Sequence, residues 1–408
     1  MLSILAPRAP VCDAQRPGGS QPSTRNNNFD LLRLLAATQV AFFHCANHLG
    51  IALNSGHPLV VLAAAFAGVP IFFVISGFLI SLSFERNSDT KAYFCNRALR
   101  IYPALWTCLL VSLMAAMVLG HIDFVRPEAI PWVLGQLTII QFYHPQFLRS
   151  YGVGVLNGSL WTIPVELEFY VVVPLIYFVL RLRSRPGNAE LALLGLASIG
   201  AQYAYLHFGG PDSAVFLVKL FGVSVAPYFW MFLIGVAIQR NFGWLGPFLV
   251  GHGGVWLAGY ATIVSISMSL GIRTGTNTPN PVVMIVLALA VVACAYTKPG
   301  LAARLLRDND VSYGVYIYHA VFLNASIAIG MRTGLATLGA ILATTYVVAW
   351  VSWKVIEHPA LRKKRNPLHV LFDPAQHDLS ATHKPSTASV VSTACRRASN
   401  IGDRPFTS

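Results

Sequence analysis

The sequence predicts an all-α, polytopic bundle of membrane-spanning helices, and three observations carry that prediction. Of the 408 residues, 55% are hydrophobic and only 11% are charged. The mean hydropathy is +0.58. The apolar residues gather into many stretches of about 17–25, each enough to cross a hydrocarbon core as a helix. A soluble fold needs more polar surface than this chain carries. A β-barrel would require period-two alternation, whereas these runs are continuous.

Apolar runs between breakers place ten spans at about 30–50, 58–82, 99–119, 162–180, 189–206, 214–238, 244–270, 281–297, 311–331 and 335–353. A further run at 130–142 is too short to cross and reads as an interfacial or re-entrant element. Lys and Arg collect in cytoplasmic loops, so their distribution tests the count. With the N-terminus inside, the cytoplasmic loops receive Arg86, Lys91, Arg97 and Arg100, then Arg181, Arg183 and Arg185, then Arg240, then Lys298, Arg304 and Arg307. After the last span they receive Lys354, Arg362, Lys363, Lys364 and Arg365, while the outer side keeps Arg126, Arg149, Arg273 and Arg332. Counting 130–142 as a span would reverse the pattern from Arg181 onward. About ten spans with both termini in the cytoplasm is therefore the expected topology.

Residues 1–28 are rich in Pro, Gly, Ser, Asn and Arg and contain no apolar segment of signal-peptide length, so they are expected to be a disordered cytoplasmic N-terminus. The first span then acts as its own signal anchor. The transmembrane domain is expected over 29–365, and the Ser-, Thr-, Ala- and His-rich segment 366–408 as a disordered cytoplasmic tail. The formal charge of +13 follows from the loop bias and does not call for nucleic acid. The six cysteines are scattered without CxxC spacing, so neither a disulfide framework nor a zinc site is expected. No metal is expected.

Ionisable side chains inside apolar spans are costly and therefore informative. The first span carries Asp30, Arg33 and His44. The eleven-residue step from Arg33 to His44 comes within about 20° of three whole turns, so both project from one face, about 16 Å apart along the axis. Taken alone, Arg33 is equally an interfacial anchor paired with Asp30, and His44 a buried packing histidine. The fourth span opens with Trp161, Glu166, Glu168, Phe169 and Tyr170 and runs inward from the outer face. That direction puts Glu166 at the depth of His44, where a carboxylate would orient an imidazole. Glu168, two positions on, points elsewhere. Gly68, Pro70 and Gly77 in the second span permit a kink or a close approach of another backbone. Arg97 and Arg100, three apart, share a helix face from which they can clamp phosphates or merely anchor a cytoplasmic loop. His319 sits a few turns into a span running outward, on the same pathway or in the packing.

Taken together, these segments resemble the acyltransferase 3 family of integral membrane acyltransferases, over about 29–359. Arg33 and His44 stand in the family's arginine–histidine relation on the first span. Ser76-Gly77-Phe78 corresponds to its SGF segment, Arg97 and Arg100 to its RxxR motif, and Trp161, Glu166, Phe169 and Tyr170 to its tryptophan-containing motif. The run from Ser312 to His319 and the closing Glu357-His358-Pro359 are also similar. Many members have adjacent glutamates where this chain has Glu166 and Leu167, so the resemblance extends to Glu166 and not to Glu168.

The resemblance implies an enzyme in the cell inner membrane that moves an acyl group, acetyl by default, from cytoplasmic acyl-CoA to a hydroxyl of a carbohydrate or glycolipid. His44 is then general base or transient acyl carrier, with Glu166 and Arg33 the other catalytic candidates. Arg97 and Arg100 hold the CoA phosphates, and Trp161, Tyr170 and His319 contact substrate. The competing reading is a proton-coupled transporter with Arg33, His44 and Glu166 as a charge relay.

Overall fold

The structure is a computed structural model describing residues 27–363, apart from 52–57, 87–88, 185–186, 273 and 275–276. The terminal segments expected at 1–28 and 366–408 lie outside the described residues, except for Asn27 and Asn28.

Among the described residues the fold is all-helical, with no strand. The first half contains α1 (Phe29–His48), α2 (Pro58–Ala65), α3 (Gly68–Arg86), α4 (Thr90–Gly120), α5 (Ala129–Gln136), α6 (Thr162–Val179), α7 (Asn188–His207) and α8 (Phe216–Phe221). The second contains α9 (Phe229–Arg240), α10 (Phe242–Leu249), α11 (Gly253–Ser269), α12 (Pro281–Ala295), α13 (Leu301–Leu306), α14 (Ser312–Ala328), α15 (Leu335–Ser352) and α16 (His358–Arg362). A 3-10 turn at Gly158–Trp161 leads into α6, and a π-helical turn at Trp353–Glu357 joins α15 to α16.

Five of these elements are long and apolar enough to cross a membrane: α1, α3, α4, α6 with its 3-10 lead, and α15 continued to Arg362. A sixth is added if α10 and α11 are one bent span. The segment at 130–142 contains only the eight-residue α5, too short to cross.

Three expected spans are not continuous helices. The run at 58–82 breaks at Phe66 and Ala67, and both loose backbone ends are taken up by side chains. Gln39 Oε1 accepts from the Gly68 N–H at 3.0 Å, and the Tyr260 hydroxyl donates to the Ala65 carbonyl at 2.6 Å. The run at 214–238 breaks between α8 and α9. There Glu168 Oε2 accepts from the Val225 N–H at 2.7 Å, and the Ser198 hydroxyl donates to the Ala226 carbonyl at 2.6 Å. The run at 244–270 bends by 87° between α10 and α11, where Gly251 adopts a φ of +81°. Backbone freed from a helix inside an apolar bundle survives only where protein groups satisfy it, as these do.

The bundle is built around α3, whose buried face packs against α9, α1 and α12. Two glycines set the α3–α9 crossing. A Cβ on Gly77 would stand 2.0 Å from the Phe232 carbonyl oxygen, and one on Gly235 would stand 2.2 Å from that of Val74. The helices therefore approach backbone to backbone, the arrangement small residues permit between helices in lipid. Phe73, Phe232 and Phe169 stack beside this contact, with centroid separations of 4.5 and 3.9 Å. Where α1 meets α3, a Cβ on Gly68 would fall 2.4 Å from the Ala36 carbonyl oxygen.

Replacing Gly77 or Gly235 by valine forces these backbones apart, at an expected cost of at least about 1–3 kcal/mol. Thermal unfolding in detergent should show a clear loss for either variant, whereas Gly195→Ala, with nothing within 4 Å of the new methyl group, should match the wild type.

Candidate active site

A cavity of about 370 Å³ opens among α1, α3, α4, α6 and α14, near the end of the bundle where the described chain begins and ends. Of the residues singled out in the sequence, Arg33, Arg97, Arg100, Glu166 and Tyr170 line it. His44, His319 and Trp161 are not part of its wall.

The three arginines differ in what balances them. Arg100 forms an ion pair with Asp310. Arg33 approaches the same carboxylate at 3.9 Å and Asp30 at 3.4 Å. Asp310 sits in the loop before α14, where the Ser312 hydroxyl also donates to it at 2.5 Å. Burial alone would raise the Asp310 carboxyl, but Arg100, Arg33 and the Ser312 hydroxyl outweigh it and hold it below the ordinary carboxylate range. Arg97 has no such partner: its guanidinium lies 5.8 Å from the centroids of both Tyr93 and Tyr170, and its buried Nε lacks a hydrogen-bond acceptor. Among the described residues it has no ion-pair partner, and its charge faces the two rings.

Glu166 does not orient His44. Its Oε1 accepts from the Ser76 hydroxyl at 3.1 Å and from the Tyr170 hydroxyl at 2.5 Å. The Tyr93 hydroxyl in turn donates to the Tyr170 carbonyl at 3.1 Å. Sequence depth placed Glu166 and His44 together, but the carboxylate lies deeper, with Arg33 and Ser76 in the cavity wall, whereas His44 faces Gly158, about two helical turns away along α6. Trp161 packs its ring against Tyr228, with centroids 5.3 Å apart. Glu168 serves the break before α9 and lies away from the cavity.

The partner of His44 is His319, whose Nε2 lies 3.2 Å from His44 Nδ1. His319 is fully buried, and its Nδ1 lies 3.4 Å from the Val315 carbonyl oxygen one turn back on α14. A carbonyl oxygen only accepts, so with His319 neutral this contact assigns the hydrogen to its Nδ1 and leaves its Nε2 as the acceptor. The hydrogen between the rings therefore belongs to His44 Nδ1, and His44 Nε2 keeps a free lone pair. That nitrogen faces the 3-10 turn before α6, where a Cβ on Gly158 would stand 4.0 Å away.

Side chains stitch this turn to α14. Asn157 Nδ2 donates to the Ile317 carbonyl at 2.8 Å, and the Tyr316 hydroxyl donates to the Ser159 carbonyl at 2.8 Å. Asn324 Oδ1 accepts from the Val153 N–H at 2.8 Å, while its amide donates to the carbonyls of Val155 and Leu156 at 3.0 Å each. Tyr313 and Tyr316 line the cavity, and His319 follows three residues later on the same helix face. The end of the cavity against Tyr316 therefore adjoins the histidine pair, with ring centroids of Tyr316 and His319 6.3 Å apart.

Sequence reasoning missed Asp310, and it gave Tyr313 and Tyr316 no role beyond the similarity of the run from Ser312 to His319. An aspartate two residues before an apolar helix was a usable signal, being a carboxylate at the edge of a span. Nothing in the sequence says that Arg100, 210 positions away, is its partner.

The fold is an apolar helix bundle with the length and composition of a membrane protein, holding a cavity lined by three arginines and four carboxylates and, beyond its Tyr316 end, a pair of histidines. Residues 26–354 match the acyltransferase domain, and the chain belongs to that family, acyltransferase 3. It is 33% identical over 367 residues to nodulation protein 10 of Rhizobium leguminosarum bv. viciae, covering 85% of this chain and 96% of the relative. It is 28% identical over 334 residues to exopolysaccharide production protein ExoZ of Rhizobium meliloti, covering 79% and 95%. A shorter similarity, 26% over 202 residues, covers 45% of this chain and 30% of the peptidoglycan O-acetyltransferase OatA of Listeria monocytogenes. No solved structure matches the chain. The transporter reading finds no support: Arg33, His44 and Glu166 each have separate partners and form no relay.

Replacing Asp310 by asparagine leaves Arg100 and Arg33 without their shared counter-charge, at an expected cost of about 3–5 kcal/mol. Unfolding in detergent should show the loss in Asp310→Asn and a partial recovery in the Arg100→Met/Asp310→Leu double variant. Because the folded-state pKa of Asp310 is depressed, its stabilisation is complete above the unfolded value of about 3.9 and is lost as pH falls through the folded value.

Proposed function

We propose that the chain is a multi-pass O-acyltransferase of the cell inner membrane. It moves an acyl group, acetyl by default, from a cytoplasmic coenzyme A thioester to a hydroxyl of a carbohydrate or glycolipid. One observation carries this reading: a chain of this family holds a guanidinium with no ion-pair partner among the described residues in a cavity whose Tyr316 end adjoins the His44–His319 pair. The names of two relatives, an exopolysaccharide production protein and a peptidoglycan O-acetyltransferase, support a polysaccharide-type acceptor.

The topology that goes with it has ten spans within 29–365, the broken and bent helices counted as spans, and both termini in the cytoplasm. The cavity mouth then faces the cytosol, where Lys and Arg concentrate. Arg97 takes a donor phosphate, because its guanidinium gains most from an incoming anion. Arg100 and Arg33 are already balanced by Asp310 and Asp30, which leaves Arg97 as the guanidinium open to it. The orphaned Arg97 Nε, in a wall where Arg33 and Arg100 are offset by Asp30 and Asp310, supports a phosphate contact at Arg97.

His44 Nε2 acts on the acyl transfer, as base or as carrier. His319 is a positioning residue: by accepting from His44 Nδ1 it fixes the tautomer that leaves Nε2 free. Glu166 and Tyr170 form a polar wall along the donor's path, and Trp161 holds the turn beside His44.

The test is acyl transfer by His44→Ala, Arg97→Ala and Glu166→Ala at equal membrane abundance. Release of free thiol from acetyl-CoA and mass spectrometry of the polysaccharide and glycolipid fractions supply the readouts. His44→Ala should lose about 10²–10⁴-fold in turnover. Arg97→Ala should raise KM for acetyl-CoA with kcat little changed, the mark of lost uniform binding. Unchanged turnover in His44→Ala would sink the reading.

A further inference from the structure

A third histidine stands beside the pair. His48 lies one turn beyond His44 in the last turn of α1, exposed at the end remote from the cavity mouth. Its ring meets that of His44 edge to face, with centroids 4.6 Å apart, and His44 meets His319 at 5.2 Å. The three imidazoles thus form a file from the surface to the buried Val315 carbonyl. They are not arranged to hold a metal ion. Both His44 Nδ1 and His319 are committed to each other, whereas His48 has no hydrogen-bond partner among the described residues.

We propose that His48 is a second catalytic residue, the general base that takes the proton from the acceptor hydroxyl while His44 carries the acyl group. This inference rests on the acyltransferase reading of His44 and commits it to the carrier route. His44 stands between the Tyr316 end of the cavity, which it reaches through His319, and the exposed His48, so a donor from the cavity side and an acceptor from the other end would meet there. A nitrogen bonded to the acyl carbon has no lone pair left to serve as base, so the second half of the reaction needs another one. His48, about 6 Å further along the helix axis, is the exposed imidazole within reach.

In the first step His44 Nε2 bonds to the thioester carbon, and the carbon–sulfur bond breaks with its electron pair leaving on the thiolate. The Nδ1 proton moves to His319 Nε2, so the acyl-imidazole is neutral. In the second step the acceptor oxygen bonds to the acyl carbon as its proton passes to His48. The carbon–nitrogen bond breaks, and His319 returns its proton to His44 Nδ1. His48 then releases its proton to water, and the thiolate takes one from water at the cavity mouth.

A histidine in the last turn of a helix also stabilises the helix dipole, so stability alone does not separate the two roles. The experiment follows label from radioactive acetyl-CoA onto the purified full-length protein, then its discharge by two probes. Hydroxylamine is nucleophilic without a base; trifluoroethanol, a hydroxyl probe, needs one. His48→Ala and His48→Gln should take up label like the wild type and discharge normally to hydroxylamine. Their discharge to trifluoroethanol should slow about 10²–10⁴-fold, and added imidazole should restore it. Wild-type discharge to trifluoroethanol in both variants, equal slowing with both probes, or failure of imidazole to restore the rate overturns the assignment. A wild type that takes up no label, with His44→Ala inactive, removes the carrier route and this inference but leaves His44 as base. An active His44→Ala removes the underlying reading itself.

Discussion

The hydrogen bond from His44 Nδ1 to His319 Nε2 is the contact on which the site depends, because it decides which nitrogen of His44 is free. Every element around it holds the two rings in that relation. The close approach of α1 to α3 at Gly68 fixes the depth of α1, and the contact of α1 with α14 sets its rotation. On α14 the Val315 carbonyl fixes His319, and Asn324 ties down the segment that leads into the turn beside His44. In an apolar bundle an unpaired buried imidazole is costly, so the pairing supports the fold and the chemistry alike.

The charges near the cavity mouth obey a related constraint. Three guanidinium groups in an apolar bundle need counter-charge, and Asp310 supplies it for Arg100 and part of it for Arg33. Because that carboxylate comes from the loop before α14, the helix carrying His319 is also tied to the arginine of α4. Arg97 is left against the rings of Tyr93 and Tyr170, a weaker balance that an incoming anion improves.

The part of the candidate cavity that was legible in the sequence was carried by local signals. The eleven-residue step from Arg33 to His44 and the three-residue step from Arg97 to Arg100 are facts of helix period, and both arginines of the second pair do line the cavity. What stayed hidden depends on long-range packing. Hydropathy summed along a window cannot see that Gln39 and Tyr260 pay for a break at Phe66 and Ala67, so an interrupted helix reads as one span. Depth alone put Glu166 beside His44, whereas the true partner is 275 residues away in sequence. Glu168 reads as an interfacial charge until the Val225 N–H it satisfies is seen across the bundle.

The central claim is that one continuous path joins an anion site at Arg97 to the free nitrogen of His44. A structure of the protein with a non-transferable ketone analogue of acetyl-CoA tests it most directly. The account predicts phosphate oxygens on the Arg97 guanidinium and the analogue's carbonyl carbon within about 3–3.5 Å of His44 Nε2, the near-attack distance. Phosphates bound away from Arg97, or an acyl end directed away from His44, would contradict it.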